Sequence, residues 1–391
     1  MTTLTADVAI VGGGLMGAWT AFFLARRGAR VTLIEKGAVG AQASGVNFGN
    51  LRLQGRHPDQ FPLALRSHAL WEELETLVSE RCEFAATGHL YVAEKAEEQD
   101  ALEQHAKAAE AHGITIERIV GADLRRRWPW LGDGLHAGTF SARDATANPR
   151  LVTPAAARAT QRLGVEVVEN TEVIDVRWDR GSFAIRNNTG LRVSCGALVN
   201  AAGAWATAIA ERFGETAPMF AAGPPQFVTE PLPYAIGPCV QTMNGSAIFR
   251  QVARGNVIMA GYPRTAADPI LNRAPVPPAK VLAGMSHLAR MAPMLCGAHV
   301  IRVWSGIEGY LPDMLPIIGP SETTPGLFHA FGFCGHGFQL GPGVGAVLSE
   351  MILDGGTPIP LAAFSIARFR GTVTISDKFI REFDARTPHE A

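Results

Sequence analysis

The stretch Ala6 to Lys36, ADVAIVGGGLMGAWTAFFLARRGARVTLIEK, limits the fold more tightly than any other part of the chain. Val8, Ile10 and Val11 form a β-branched run with no polar break, as a strand covered on both faces requires, and Gly12-Gly13-Gly14 follows at once. Gly12, Gly14 and Gly17 fit G-x-G-x-x-G. The first glycine allows a tight turn, the second lets backbone approach a pyrophosphate, and the third lets the next helix lie close to the strand. That helix, starting at Leu15 and Met16, presents free N–H groups and the positive end of its dipole to phosphates. Val31, Leu33 and Ile34 make a second strand closed by Glu35, an acid placed to hold a ribose hydroxyl and to disfavour a 2′-phosphate. The unit reads as a parallel α/β layer that binds a dinucleotide, with NAD and FAD both left open.

A chain of 391 residues implies two domains or one large domain with an insertion. With 47% hydrophobic residues, 18% charged residues and a net charge of −1, nothing points to nucleic acid or an anionic membrane as partner. The five cysteines are spread out with no C-x-x-C spacing, which argues against a disulfide framework or a metal site and for a reducing compartment. No cationic segment precedes the N-terminal apolar run, and no apolar stretch approaches the roughly 18 residues that span a bilayer. The expected location is cytoplasmic, with any membrane association made through a partner.

After Glu35 and Lys36 comes a polar, glycine-rich loop, GAVGAQASGVNFGNLRLQGR, in which Ala43, Ser44, Asn47, Gly49, Asn50 and Leu51 can wrap a cofactor. Pro62 to Glu80 has helical spacing, a short strand is expected between Glu83 and Ala93, and Glu94 to His112 reads as a solvated helix. A helix from Pro154 to Leu163, strands at Val165 to Val168 and Thr171 to Val176, and the apolar run into Ala202-Gly203-Ala204-Trp205 resume the doubly wound layer. Residues Pro218 to Arg302 carry clustered prolines and short strands, which read as antiparallel sheet of a second domain, closed by a helix from Pro278 to Met291. A second glycine-rich turn, Gly332 to Gly345, introduces a helix ending near Asp354.

VGGGLMG with Glu35, the ASG loop, LVNAAGAWA and LPIIGPS followed by GFCGHGFQLGPGVG, in that order, resemble the D-amino acid oxidase-like FAD oxidoreductases over nearly the whole chain. The wording WSGIEGYLPDMLPIIG and GHGFQLGPGVG is most similar to the FAD subunits of opine oxidases, hydrogen cyanide synthase and D-hydroxyproline dehydrogenases; PLALRSHALWEELE is similar to a helix of sarcosine oxidases. The resemblance implies a Rossmann-type FAD-binding domain from 1–83, 146–215 and 298–372, an antiparallel-sheet substrate-binding domain from 84–145 and 216–297, and a tail, 373–391. It implies an extended FAD with its ADP half on Gly12 to Gly17, Glu35 and Lys36. Val173, Ala202, Gly203 and Trp205 would lie beside the nucleotide, with Gly306, Gly335, His336, Gly337, Phe338, Gln339 and Leu340 near the flavin. The implied reaction is hydride transfer from the Cα of a secondary or D-configured amino acid, of the D-hydroxyproline, D-proline or opine type, with no strong acid or base required.

Three departures from these relatives shape the expectation. No cysteine stands near Gly306, where sarcosine-oxidase-like members attach FAD, so the cofactor is expected to be non-covalent. Cys296 and Cys334, which flank that region, read as buried small residues. Met259 stands where those oxidases carry a lysine that helps oxygen react, which favours a dehydrogenase with a quinone, dye or partner subunit as acceptor; an oxidase releasing hydrogen peroxide is the rival. No arginine follows Trp304, so Arg52 and Arg250 are the candidates for the substrate carboxylate, with Glu308, Tyr262 and His336, and then His57 and Tyr310, as further pocket residues. Related enzymes occur in hetero-oligomers, so a second alternative is an FAD-bearing subunit active only together with partner chains.

Overall fold

The computed structural model describes residues 3–261 and 263–383. Its first sheet runs Ile317–Pro320, Leu327–Phe331, Arg192–Asn200, Thr3–Val11, Val31–Ile34, Glu166–Val168. The last five of these strands are mutually parallel, and Ile317–Pro320 closes one edge antiparallel. All four residues of Val31–Ile34 are buried, as the unbroken apolar run requires of a strand covered on both faces. An antiparallel hairpin, Val173–Asp179 with Ser182–Asn187, hangs from the first half of Arg192–Asn200; the sequence reading identifies only its first strand.

Two helices pack on each other under this sheet, Leu15–Arg26 and Gly337–Asp354. Their approach is so close that a Cβ on Gly345 would stand 2.5 Å from the Trp19 backbone carbon. Helix Phe61–Glu72 joins them through the Trp71 indole and the Ser67 hydroxyl, which donate to the Gln339 carbonyl oxygen at 2.8 and 2.5 Å.

The second sheet runs Val300–Trp304, Gln226–Pro231, Asn256–Ala260, Ile248–Gln251, Cys239–Thr242, His89–Ala93, Ala137–Ser141, Glu117–Val120. It is antiparallel except where Cys239–Thr242 lies parallel to His89–Ala93, the seam at which two distant parts of the chain meet. Val300–Trp304, placed by the sequence reading at the start of the last nucleotide-binding segment, pairs instead with Gln226–Thr229. Helix Pro278–Met291 covers this sheet over Phe227 and Met259. All five cysteines are free, and Cys296 is exposed, contrary to expectation, while Cys334 is buried. Among the described residues no helix is long and apolar enough to cross a membrane and no cluster of metal-ligating side chains occurs.

Candidate active site

A single cavity of about 2250 Å3, counting its open mouth, runs from the end of the first sheet to the second. At the sheet end the glycine turn has the geometry its spacing implies. Gly12 has φ +109°, and a Cβ there would lie 2.3 Å from the Ala201 carbonyl oxygen; one on Gly17 would lie 1.9 Å from the Gly12 oxygen. Glu35 is pinned by the Gly13 and Gly37 N–H groups, which donate to its two oxygens at 2.7 and 2.8 Å. Ser44 reaches across from the polar loop to accept from the Leu15 N–H at 2.8 Å. The Lys36 ammonium sits 3.0 Å from the Trp205 ring centre, and that indole donates to the Pro269 carbonyl, so both are fixed at the mouth.

Most residues singled out for the cofactor line this cavity: Gly12, Gly14, Leu15, Met16, Glu35, Lys36, Ala43, Ser44, Asn47, Gly49, Asn50, Val173, Ala202, Gly203, Trp205 and Gly335 to Gln339. Four do not. Gly17 serves helix-to-strand packing, Leu51 and Leu340 are fully buried in the core, and a Cβ on Gly306 would strike the Val46 side chain at 2.1 Å, so that glycine backs the polar loop. Gly306 nonetheless neighbours Ile307, Glu308 and Gly309, which do line the cavity.

The cavity fits an extended dinucleotide: it begins at a helix N-terminus beside a fixed acid and ends against a second helix start, Gly337, whose free N–H groups face the far chamber. When bound, FAD would supply the hydride acceptor there, and donors at that helix start would favour the charge that builds on the flavin pyrimidine edge.

The substrate candidates separate clearly. Arg52 lines the cavity; its guanidinium donates to the Gln54 and Gly55 carbonyl oxygens at 2.6 and 2.8 Å and has no carboxylate partner among the described residues. Arg250 does not line it: the side chain clamps the Phe48 and Ala147 carbonyl oxygens at 3.0 and 3.3 Å, so it braces the polar loop against the second sheet. Glu308 lines the cavity but is held by the Gly335 N–H at 2.7 Å and by the Tyr310 hydroxyl. Tyr310 is therefore a buried prop of Glu308, its phenol pushed well up by burial, with the Glu308 charge adding to the effect. His57 is exposed and caps a short helix, and Tyr262 lies outside the described residues. Met259 is 1% exposed and faces helix Pro278–Met291; Ala260 and Gly261 face the cavity, so this strand brings no lysine to it.

Two groups escape the sequence reading. Arg56 lines the cavity beside Arg52, donating to the Arg52 carbonyl at 2.9 Å. One of its terminal nitrogens is buried without a partner, and burial, with the Arg52 charge, pushes its guanidinium down to about 9. The spacing Arg52-x-x-x-Arg56 on the far side of the polar loop is the signal that could have marked it. Lys378, on the C-terminal helix Asp377–Glu382, reaches back to His336. His336 is 8% exposed and held neutral by burial first, then by the Lys378 and Arg52 charges.

The fold and the dinucleotide cavity define a class, and residues 7–351 match the family described as FAD dependent oxidoreductase, to which the chain belongs. It is 30% identical to the glycine oxidase of Geobacillus kaustophilus over 94% of this chain and 98% of that one. It is 26% identical to the hydrogen cyanide synthase subunit HcnC of Pseudomonas aeruginosa over 94% of this chain and 97% of that one. The solved L-proline dehydrogenase from P. horikoshii superposes with a TM-score of 0.89 at 25% identity, over 95% of this chain and all of that one, 100%. The chain is an FAD-dependent amino acid or amine oxidoreductase.

Proposed function

We propose that this enzyme is a dehydrogenase that oxidises the C–N bond of a secondary or D-configured amino acid and passes the electrons to an acceptor other than oxygen. The observation that carries the amino acid reading is the pair Arg52 and Arg56, two guanidinium groups at the flavin end of the cavity with no carboxylate within ion-pair reach among the described residues. Arg56 is buried and Arg52 half-buried, the nearby Asp144 carboxyl offsets their charge only in part, and a substrate carboxylate is a further anion of matching geometry. Ile248, Ala260 and Ile307 give the same chamber an apolar wall suited to a ring or alkyl substituent. In the near-attack arrangement the cationic pair holds the carboxylate and leaves the neutral amine carbon free to give hydride to flavin N5, the one step the cofactor supplies.

The acceptor reading is supported by the apolar strand Asn256–Ala260, which directs no ammonium at the chamber. FAD is proposed to be non-covalent, since no cysteine lines the cavity. HcnC is by name a subunit, and a partner chain as electron acceptor is part of this proposal. The test is anaerobic bleaching of the bound flavin by D-amino acids, N-methyl amino acids and opines. Bleaching followed by fast turnover with an acceptor dye and slow peroxide release is expected. Rapid peroxide release would sink the dehydrogenase reading, and a flavin that no amino acid bleaches would sink the amino acid reading.

A further inference from the structure

The chamber wall that carries Ile248 and Ala260 is one row of the second sheet. Gln226 stands opposite Ala260, Ala260 opposite Ile248, and Ile248 opposite Gln241, so their side chains share a face, and all of them line the cavity. Adjacent strands lie about 4.8 Å apart, which puts Gln241 one strand beyond the apolar stretch on which a ring or alkyl substituent would rest. The Gln226 amide nitrogen donates to the Val46 carbonyl oxygen at 2.8 Å, which ties that side chain to the polar loop. Gln241 has a different neighbour.

Across the parallel seam, on strand His89–Ala93, stands the fully buried ring of His89. Its tautomer is fixed by Gln54. The Gln54 amide nitrogen lies 2.7 Å from the His89 carbonyl oxygen, which requires a donor there, and 3.1 Å from His89 Nδ1; the Gln54 oxygen accepts from the Thr139 hydroxyl at 3.1 Å. Facing a donor, Nδ1 is the bare acceptor. Burial first, then the Arg52 charge, keep the ring neutral, so its single proton sits on Nε2. Gln241 works against both, favouring a proton on the ring, as an amide oxygen turned toward an N–H does. The separation is longer than an ordinary hydrogen bond, since Nε2 and the Gln241 oxygen are each buried with no partner inside that range. With its oxygen shielded on the His89 side, Gln241 turns its amide nitrogen to the chamber, where that nitrogen has no acceptor among the described residues.

We propose that Gln241 is a specificity-determining residue whose amide N–H bonds an oxygen on the substrate's side chain, and that His89, braced by Gln54, is the positioning residue that keeps the donor side of this amide toward the chamber. This rests on the amino acid reading above and narrows its substrate class to amino acids with an ether, hydroxyl or carbonyl oxygen in the substituent that lies along Ile248 and Ala260. A methylene in the same place leaves a buried N–H unpaired, and that loss sets the discrimination.

The test uses the FAD-loaded enzyme and two pairs of D-configured substrates that differ only by an oxygen in place of a methylene: O-methylserine with norvaline, and morpholine-3-carboxylate with pipecolate. Anaerobic stopped flow gives the second-order rate of flavin reduction by each, and the readout is the ratio of ether to methylene within a pair. Gln241→Met is expected to cut that ratio about tenfold, the loss of one hydrogen bond to the substrate, with FAD content unchanged. His89→Phe keeps a ring in place but lets the amide turn, and should lower the ratio in the same direction while the methylene substrates react within about threefold of their rate in the unaltered enzyme. A ratio in Gln241→Met within about twofold of the unaltered enzyme would overturn the proposal: if both members of a pair slow equally, the amide serves a group that all amino acids share. A ratio that His89→Phe leaves alone would remove the positioning role. If other amino acids bleach the flavin and none of these four does, the inference fails and the amino acid reading stands; if no amino acid bleaches it, both fail.

Discussion

At the scale of single residues, where a guanidinium spends its donors separates functional from structural polar groups. Arg250 and Arg52 are both arginines near the polar loop, but Arg250 spends its donors on the Phe48 and Ala147 carbonyls, whereas Arg52 keeps part of its guanidinium toward the cavity. Arg52→Ala is therefore expected to raise KM for the amino acid by at least about tenfold and to leave FAD content unchanged, as a lost charge-assisted contact would. Arg250→Ala should instead loosen the loop and lower FAD retention; equal flavin content in the two variants would refute the division. Asp144 makes a second residue-scale case. It accepts from the Leu53 N–H and the Ser141 hydroxyl, but burial raises its carboxyl from 3.8 to about 6. The unfolded chain then loses this proton near pH 4 while the fold keeps it until about pH 6, so the fold binds the extra proton and stability falls as pH rises through that window. The shift is worth on the order of 3 kcal/mol. Asp144→Asn should flatten the melting temperature between pH 4 and 6.5 relative to the unaltered chain, and parallel curves for the two would show that burial does not shift Asp144.

At the scale of elements, glycines set how closely helices approach. Alanine in a helix interior is ordinarily favoured over glycine by about 1 kcal/mol. At Gly345 that gain is outweighed, because a Cβ would stand 2.5 Å from the Trp19 backbone carbon and 2.6 Å from the Trp19 Cβ, neither of which can rotate away. Overpacking of this kind costs about 1–3 kcal/mol, so Gly345→Ala should lower the melting temperature and weaken FAD retention by pushing Leu15–Arg26 off its position. An unchanged or higher melting temperature would show that the two helices can separate without cost. This geometry also explains what was legible beforehand. The turn from Gly12 to Gly17, Glu35 and the helix ending at Asp354 are written locally, in spacing a few residues wide, and the structure places them as read. The brace made by Arg250 and the contact made by Lys378 depend on groups far away in sequence, the Phe48 and Ala147 carbonyls and the His336 ring, which no local pattern records. Lys378 sits on a helix of six residues, too short to leave a periodic signal, and its contact lies 42 residues back, at His336. The pairing of Val300–Trp304 with Gln226–Thr229 is no more legible locally, since strand partners at such separation are chosen by tertiary packing.

At the scale of the whole molecule, the cavity is a joint between two sheets more than a pocket within either. Its lining draws on Val11 to Met16, the polar loop, Val173, Ala202, Gln241, Ile307 and the turn at Gly335, so both sheets contribute surface to one ligand. A cofactor seated there makes contacts to both sheets, and by linkage it must stabilise the fold by an amount that grows with the logarithm of its free concentration over Kd. At a hundredfold excess over Kd the gain is about 2.7 kcal/mol. For a chain of 391 residues, at about 2 cal/mol/K of unfolding entropy per residue, that corresponds to a rise of about 3 °C. Stripping FAD at low pH or in chaotropic salt and then re-adding it should accordingly move the melting temperature down and back by at least about 3 °C, followed by far-UV circular dichroism so that flavin signal plays no part. Hydrogen exchange should slow on re-addition in Asn47 to Leu51 and in Gly335 to Gln339 together, although these segments lie nearly three hundred residues apart. Protection confined to the N-terminal glycine turn would mean that the dinucleotide is held by the first sheet alone and that the far chamber forms without it.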